Sequence, residues 1–125
     1  MEKKWTAKNS GSELDGLIVK QPYANQIINR LKKWEMRTKP PPKEKIGRRI
    51  YLLSAGYVLG IIMITGVKGP FNQRELKQYQ RFHLGASPRY KYAWVVKVVK
   101  KFRRPRKYVH PWGAQVWVRD VKYAR

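Results

Sequence analysis

Two strongly apolar, β-branched runs stand almost side by side, residues 48–55 (RRIYLLSA) and 57–67 (YVLGIIMITGV), with Gly56 between them. Runs of this length and side-chain type read as a pair of buried strands. Gly60 interrupts the second run, and a glycine inside a strand marks a bulge or a point of close approach. The longest apolar stretch, residues 58–65, falls far short of the roughly 20 residues that cross a bilayer as a helix. The pair is therefore read as buried strands rather than as a membrane span.

The rest of the chain supplies shorter elements. Residues 16–20 (GLIVK) predict a strand, which Gln21-Pro22 breaks. Pro22 suits the first turn of a helix, where its missing N–H costs nothing. Tyr23, Ile27, Ile28 and Leu31 follow at helical spacing and predict an amphipathic helix over about 22–33. Residues 34–39 look extended, and Pro40-Pro41-Pro42 is a stiff turn that no helix or central strand continues through. Leu76, Tyr79 and Phe82 predict a second helix over 72–83, with Asn72 as N-cap and Glu75 as its capping-box partner. Residues 91–102 predict a long strand, 103–108 a basic segment broken by Pro105, and 115–121 a last strand after the turn at 110–113. Val116 and Val118 share one face of that strand, Trp117 and Arg119 the other. Strands dominate without regular strand–helix alternation, which disfavours a parallel α/β fold. The expected class is α+β: a small, mostly antiparallel β-barrel with two short helices on its ends. Residues 1–15 read as a basic arm with Lys3, Lys4 and Lys8 around Trp5, and 16–125 as one domain.

Charge decides the class of partner. The 125 residues carry 29 Lys plus Arg against 7 Asp plus Glu, a formal net charge of +22. A compact body so charged repels itself unless a polyanion neutralises it, and RNA is the expected partner. No helix combines a basic face with an anchoring apolar face, so membrane attachment is not expected. The absence of cysteine excludes disulfides, thiolate metal sites and a cysteine nucleophile. Two histidines and two aspartates predict neither a metal site nor a cofactor. His83 and His110 lack ligand spacing and receive no role. Residues 1–12 hold no apolar segment of the secretory kind, and a cytoplasmic location is expected. Oligomeric state is not legible.

The densest basic run is Lys97, Lys100, Lys101, Arg103, Arg104, Arg106 and Lys107, seven cations within eleven residues. It adjoins Tyr108, His110 and Trp112. Cations interleaved with aromatics suit unpaired RNA, whose bases stack on rings while phosphates meet lysine and arginine. The competing reading is a solvated strand edge guarded by lysines, but one or two would suffice for that. Tyr51, Trp94 and Trp117 are expected in the core or at its lip. Trp5, Trp34 and Trp112, in polar or loop contexts, are the candidates for stacking on a base. Further cations flank the proline turn (Lys39, Lys43, Lys45, Arg48, Arg49), the second helix (Lys77, Arg81, Arg89, Lys91) and the C-terminus (Arg119, Lys122, Arg125). Charge on so many faces suggests burial among RNA segments, as in ribosome-associated proteins.

The most specific stretch is 21–37, QPYANQIINRLKKWEMR. It resembles the N-terminal signature of the ASCH domain, a branch of the PUA-like superfamily. Gln21, Pro22, Tyr23 and Ala24 match its Q-P-aromatic-A opening. Lys32, Glu35 and Arg37 match the charged positions of its G-x-K-x-x-E-x-R, with Arg30 replacing the glycine. Downstream, residues 47–51, 59–62, 92–96 and 113–118 resemble the family's later strands, so the likeness runs from Gly16 to Asp120. It implies a PUA-like β-barrel with a cleft, between first helix and barrel, lined by the lysine, glutamate and arginine of the motif. It also implies RNA binding, with Gln21, Lys32, Glu35 and Arg37 as contacts; Lys39 and Arg48 of the proline turn, the basic run and Trp112 join them on charge and stacking. Glu35 and Arg37 are two apart on an extended segment and so face the same way. Arg37 suits a bidentate grip on phosphate, Lys32 a point charge, and Glu35 an amino group of a base. The competing reading is an ion-paired triad that locks helix to barrel.

The alternative function is enzymatic. Some relatives look like amidohydrolases of acetylated cytidine, and ribonuclease activity has been proposed within the family. The amidohydrolase-like members carry a threonine where this chain has Glu35, so the catalytic candidates here reduce to Lys32, Glu35 and Glu75. A lysine beside a glutamate is expected to keep a high pKa and to be a poor base. Non-catalytic binding is the expected function.

Overall fold

The computed structural model describes residues 14–125, so the arm expected over 1–15 lies outside the described residues apart from Leu14 and Asp15. Its elements in chain order are β1 (Gly16–Ile18), α1 (Tyr23–Ile28), β2 (Trp34–Arg37), a 3-10 turn (Lys43–Lys45), β3 (Arg49–Ser54), β4 (Tyr57–Lys68), α2 (Gln73–Gln78), α3 (Gln80–His83), β5 (Tyr92–Lys107) and β6 (Trp117–Val118). Six strands form one mixed sheet in the order β2-β5-β4-β3-β1-β6, curved into a half-barrel. Only the β1–β3 pair among them is parallel.

The two apolar runs are the antiparallel hairpin β3–β4 at the centre of the sheet. Ser54 pairs with Tyr57, and the two residues between them have positive φ, 52° at Ala55 and 86° at Gly56. That is the tight turn whose twist matches the strands it joins. Side chains alternate along β3. Ile50 and Leu52 pack under α1 with Ile27, Ile62 and Ile64, while Tyr51 and Leu53 pack with Val58, Tyr108 and Val121 on the other face. A third cluster joins Trp34, Met36 and Ala93 to Phe71 and Leu76, and so fastens α2 and α3 to the β2–β5 edge.

Four elements depart from expectation for local reasons. The first helix stops at Ile28, because Arg30 takes a φ of 64° and the Leu31 and Lys32 amides both close back on the Gln26 carbonyl. Leu31 is accordingly exposed rather than on an apolar face. The second helix begins on its expected capping box but turns at Tyr79 into a separate α3, giving three short helices among the described residues instead of two. The tighter turn, with the Phe82 amide donating to the Tyr79 carbonyl, sets both rings on Trp34, at centroid distances of 5.3 and 4.8 Å. Pro105 does not break the last long strand. Val58 pairs with Arg106 and Gly60 with Lys101, so residues 102–105 oppose Leu59 alone, and the ladder asks no N–H of the proline. The expected strand over 115–121 shrinks to Trp117–Val118, matching the short β1 it pairs with.

Candidate nucleic-acid interface

The segment after α1 carries the motif. Chain reversal at Arg30 places Lys32 under the helix. Then the Lys33 amide donates to the Phe82 carbonyl and the Val96 amide to the Lys33 carbonyl, which seats β2 against β5. Along β2, Glu35 and Arg37 point the same way, as their spacing requires, and Arg37 Nε donates to Glu35 Oε2 at 2.9 Å. Arg37 is held on two more sides. Its Nη2 donates to the Ile18 carbonyl at 3.0 Å, and its guanidinium lies 5.3 Å from the Trp94 ring centroid. Trp94 is itself fixed by a 2.8 Å bond from Nε1 to the Lys39 carbonyl. Two of the three guanidinium nitrogens are thus engaged, and Nη1 has no hydrogen-bond partner among the described residues.

Lys32 is almost fully buried, at 3% exposure. Its ammonium donates to the His83 carbonyl at 2.5 Å and lies 5.5 Å from the Tyr23 ring centroid. His83 is locked in turn: it accepts at Nδ1 from the Gly85 and Ala86 amides and faces the Leu76 carbonyl through Nε2, which fixes the Nε2–H tautomer. Burial pushes the Lys32 ammonium below its ordinary pKa, against the opposing pull of Glu35. The same burial pushes Glu35 above the ordinary carboxylate range, although Arg37 and Lys32 both pull it down. The expectation that Glu35 would keep Lys32 highly basic is corrected: desolvation outweighs the neighbouring charge.

These residues line one cleft of about 480 Å³. Its floor is Lys32, Glu35 and Arg37. Tyr23 from α1 and Tyr90 from the loop before β5 also line it. Gly85, Ala86 and Ser87, which follow Lys32's acceptor His83 in the chain, and Gln115 complete the lining together with other residues of the same cleft. The expected cleft between first helix and barrel is therefore present. The spacing of β2 reveals Glu35 and Arg37, but Tyr90 and Ser87 carry no sequence signal of their own.

Other candidates lie apart from the cleft. Gln21 does not line it, and its amide bonds both ways with Asn25 at the start of α1. Glu75, the third catalytic candidate, lies outside the cleft lining: its carboxylate accepts from the Asn72 amide in the capping box. Trp34 is corrected as a base-stacking candidate, since it is 5% exposed and stacked between Phe71 and Phe82. Trp5 falls outside the described residues. Trp112 is fully exposed, and Tyr51, Trp94 and Trp117 pack in or against the core as expected. Lys39 and Arg48 are exposed around the proline turn. Lys97, Lys100, Lys101, Arg103, Arg104, Arg106 and Lys107 are all exposed along β5. Among the described residues, acids answer few of these cations. Asp15 is bound by Lys45 and by the Asp120 amide, Glu35 by Arg37, and Glu75 by its cap.

Among the described residues, no three of His, Asp and Glu gather into a metal site, and no helix is long and apolar enough to cross a membrane. The ASCH domain family model matches residues 17–106. A crystal structure of ASCH from Zymomonas mobilis superposes with a TM-score of 0.59 at 15% identity, over 75% of this chain and 73% of that one. A serine-to-alanine mutant of the Zymomonas mobilis protein superposes with a TM-score of 0.61 at 15% identity, over 87% and 89%. No curated protein matches the chain. At that identity the likeness is one of fold.

Proposed function

This chain belongs to the ASCH domain family, a PUA-like fold often linked to RNA binding, and on that premise we propose that it is a non-catalytic RNA-binding protein whose cleft takes an unpaired base. The observation that carries this reading is the cleft floor: a buried carboxylate tied to an arginine, between two tyrosine walls, on a body whose cations mostly lack acidic partners. A base entering between Tyr23 and Tyr90 gains stacking on either ring. Glu35 accepts from an amino or imino group of the base, and Nη1 of Arg37 donates to a carbonyl or a phosphate oxygen. The exposed cations of β5 and the proline turn neutralise the backbone on either side. A cytoplasmic, ribosome-associated role is the setting that charge on so many faces suits best.

The test is titration of a labelled single-stranded RNA with the wild type and with Arg37→Lys. Lysine keeps the charge but loses the planar fork that reaches Glu35, the Ile18 carbonyl and the ligand together. Affinity is expected to fall by about tenfold, a share that bulk charge alone would leave untouched. Equal affinity in a folded variant would contradict a role for the cleft.

A second reading is favoured by the lowered pKa of Lys32, which makes it a better proton acceptor than its charged surroundings suggest. Hydrolysis of N4-acetylcytidine by the wild type, lost in Lys32→Ala, would decide for that reading.

A further inference from the structure

A second cavity, of about 240 Å³, lies on the other side of the 30–33 segment, with Lys32 as the shared wall. Its floor is apolar: Ile27 from α1, and Val96 and Val98 from β5. Its rim is Arg30, Lys33 and Lys97, all exposed, and no acidic side chain of the described residues lines it. Lys101 stands beside it, donating to Asn29 Oδ1 at 2.6 Å. Three cations with no acid of the described residues in the lining repel one another, and an anion among them relieves that repulsion.

Two further observations single out this place. Arg30 holds a left-handed backbone with φ 64°, a conformation that costs a side-chain-bearing residue about 1–2 kcal/mol and a glycine almost nothing. An arginine kept where glycine would be unstrained points to work done by its side chain. The sheet edge is also open here. β2 pairs only with Tyr92–Val95 of the sixteen-residue β5, and the Lys33 carbonyl takes the Val96 amide. Alternation turns the Val98 amide to the same side, where no strand of the described residues lies alongside.

We propose that this second cavity is a phosphate site: Arg30, Lys33 and Lys97, with the outward Val98 amide, hold a phosphodiester group of the RNA strand whose base enters the first cleft. The inference rests on the RNA reading above. The strand would cross the 30–33 segment, base on one side and backbone on the other.

Two measurements test it on the full chain. In the first, amide shifts are followed by NMR during titration with inorganic phosphate. Changes concentrated at residues 27–33 and 96–98 are expected, and their absence overturns the site whether or not RNA binds. In the second, single-stranded RNA is titrated at several salt concentrations with the triple variant Arg30→Ser, Lys33→Ser, Lys97→Ser and with the charge-matched control Lys68→Ser, Arg74→Ser, Lys77→Ser. The site variant is expected to bind about tenfold more weakly, with its log–log salt slope reduced by about 0.7, the value of one phosphate contact on a single strand. Equal losses in both variants would mean diffuse electrostatics and overturn the site. Phosphate uptake there by a protein that binds no RNA would overturn the RNA reading and leave an anion site of another ligand.

Discussion

Raising salt from about 50 to 200 mM will lower the affinity for single-stranded RNA by on the order of a thousandfold. The loss follows from counterions. Each phosphate neutralised by a lysine or arginine releases a condensed cation, so binding at about 6–10 phosphates is penalised steeply as bulk cation rises. The structure offers enough partners. Seven exposed cations line β5, Lys39 and Arg48 stand near the proline turn, and Arg30 and Lys33 sit at the helix end. Of the acids among the described residues, Glu35, Asp15 and Glu75 are already bound within the fold. A titration followed by tryptophan fluorescence or by a labelled RNA reads the slope directly. A slope near zero would mean that the charge serves something other than a polyanion.

Gly60→Ala will remove on the order of 4 kcal/mol of stability or more, a large part of what a domain of this size possesses. Gly60 sits in β4 at the centre of the sheet, where a Cβ would lie 2.2 Å from the Lys100 carbonyl oxygen and 2.8 Å from Ile28 Cδ1. The first neighbour is backbone, so it cannot rotate away. β4 and β5 would have to separate, and α1 would lift with them. Gly56→Ala is the control. Its Cβ would meet nothing within 4 Å, so only the left-handed backbone at φ 86° is penalised, by about 1–2 kcal/mol. Urea denaturation of the two variants should separate these losses clearly. Similar losses would mean that the close approach at Gly60 relaxes easily.

The parts of the fold that sequence revealed are those governed by neighbours along the chain. The β3–β4 hairpin follows from two β-branched runs and a glycine, and the close approach at Gly60 follows from a glycine inside a strand. The shared direction of Glu35 and Arg37 follows from the two-residue repeat of β2. What escaped the sequence depends on distant partners. Trp34 looked like a loop aromatic because Phe71, just before α2, and Phe82, in α3, which stack on it, arrive from beyond two further strands. The burial of Lys32 depends on the carbonyl of His83, 51 residues away. Pro105 reads as a strand breaker, and only the mismatch opposite Leu59 makes it harmless. The helix end at Arg30 was visible only as a departure from a glycine pattern, and the left-handed backbone there gives the pattern its reason.

The most direct measurement is ultraviolet crosslinking of the full chain to a mixed-sequence single-stranded RNA, with the modified peptides mapped by mass spectrometry. The account predicts nucleotide adducts on the cleft walls, at Tyr23 or Tyr90, that disappear at high salt. Adducts confined to surface aromatics remote from the cleft, such as Trp112, or no adducts at all, would contradict it.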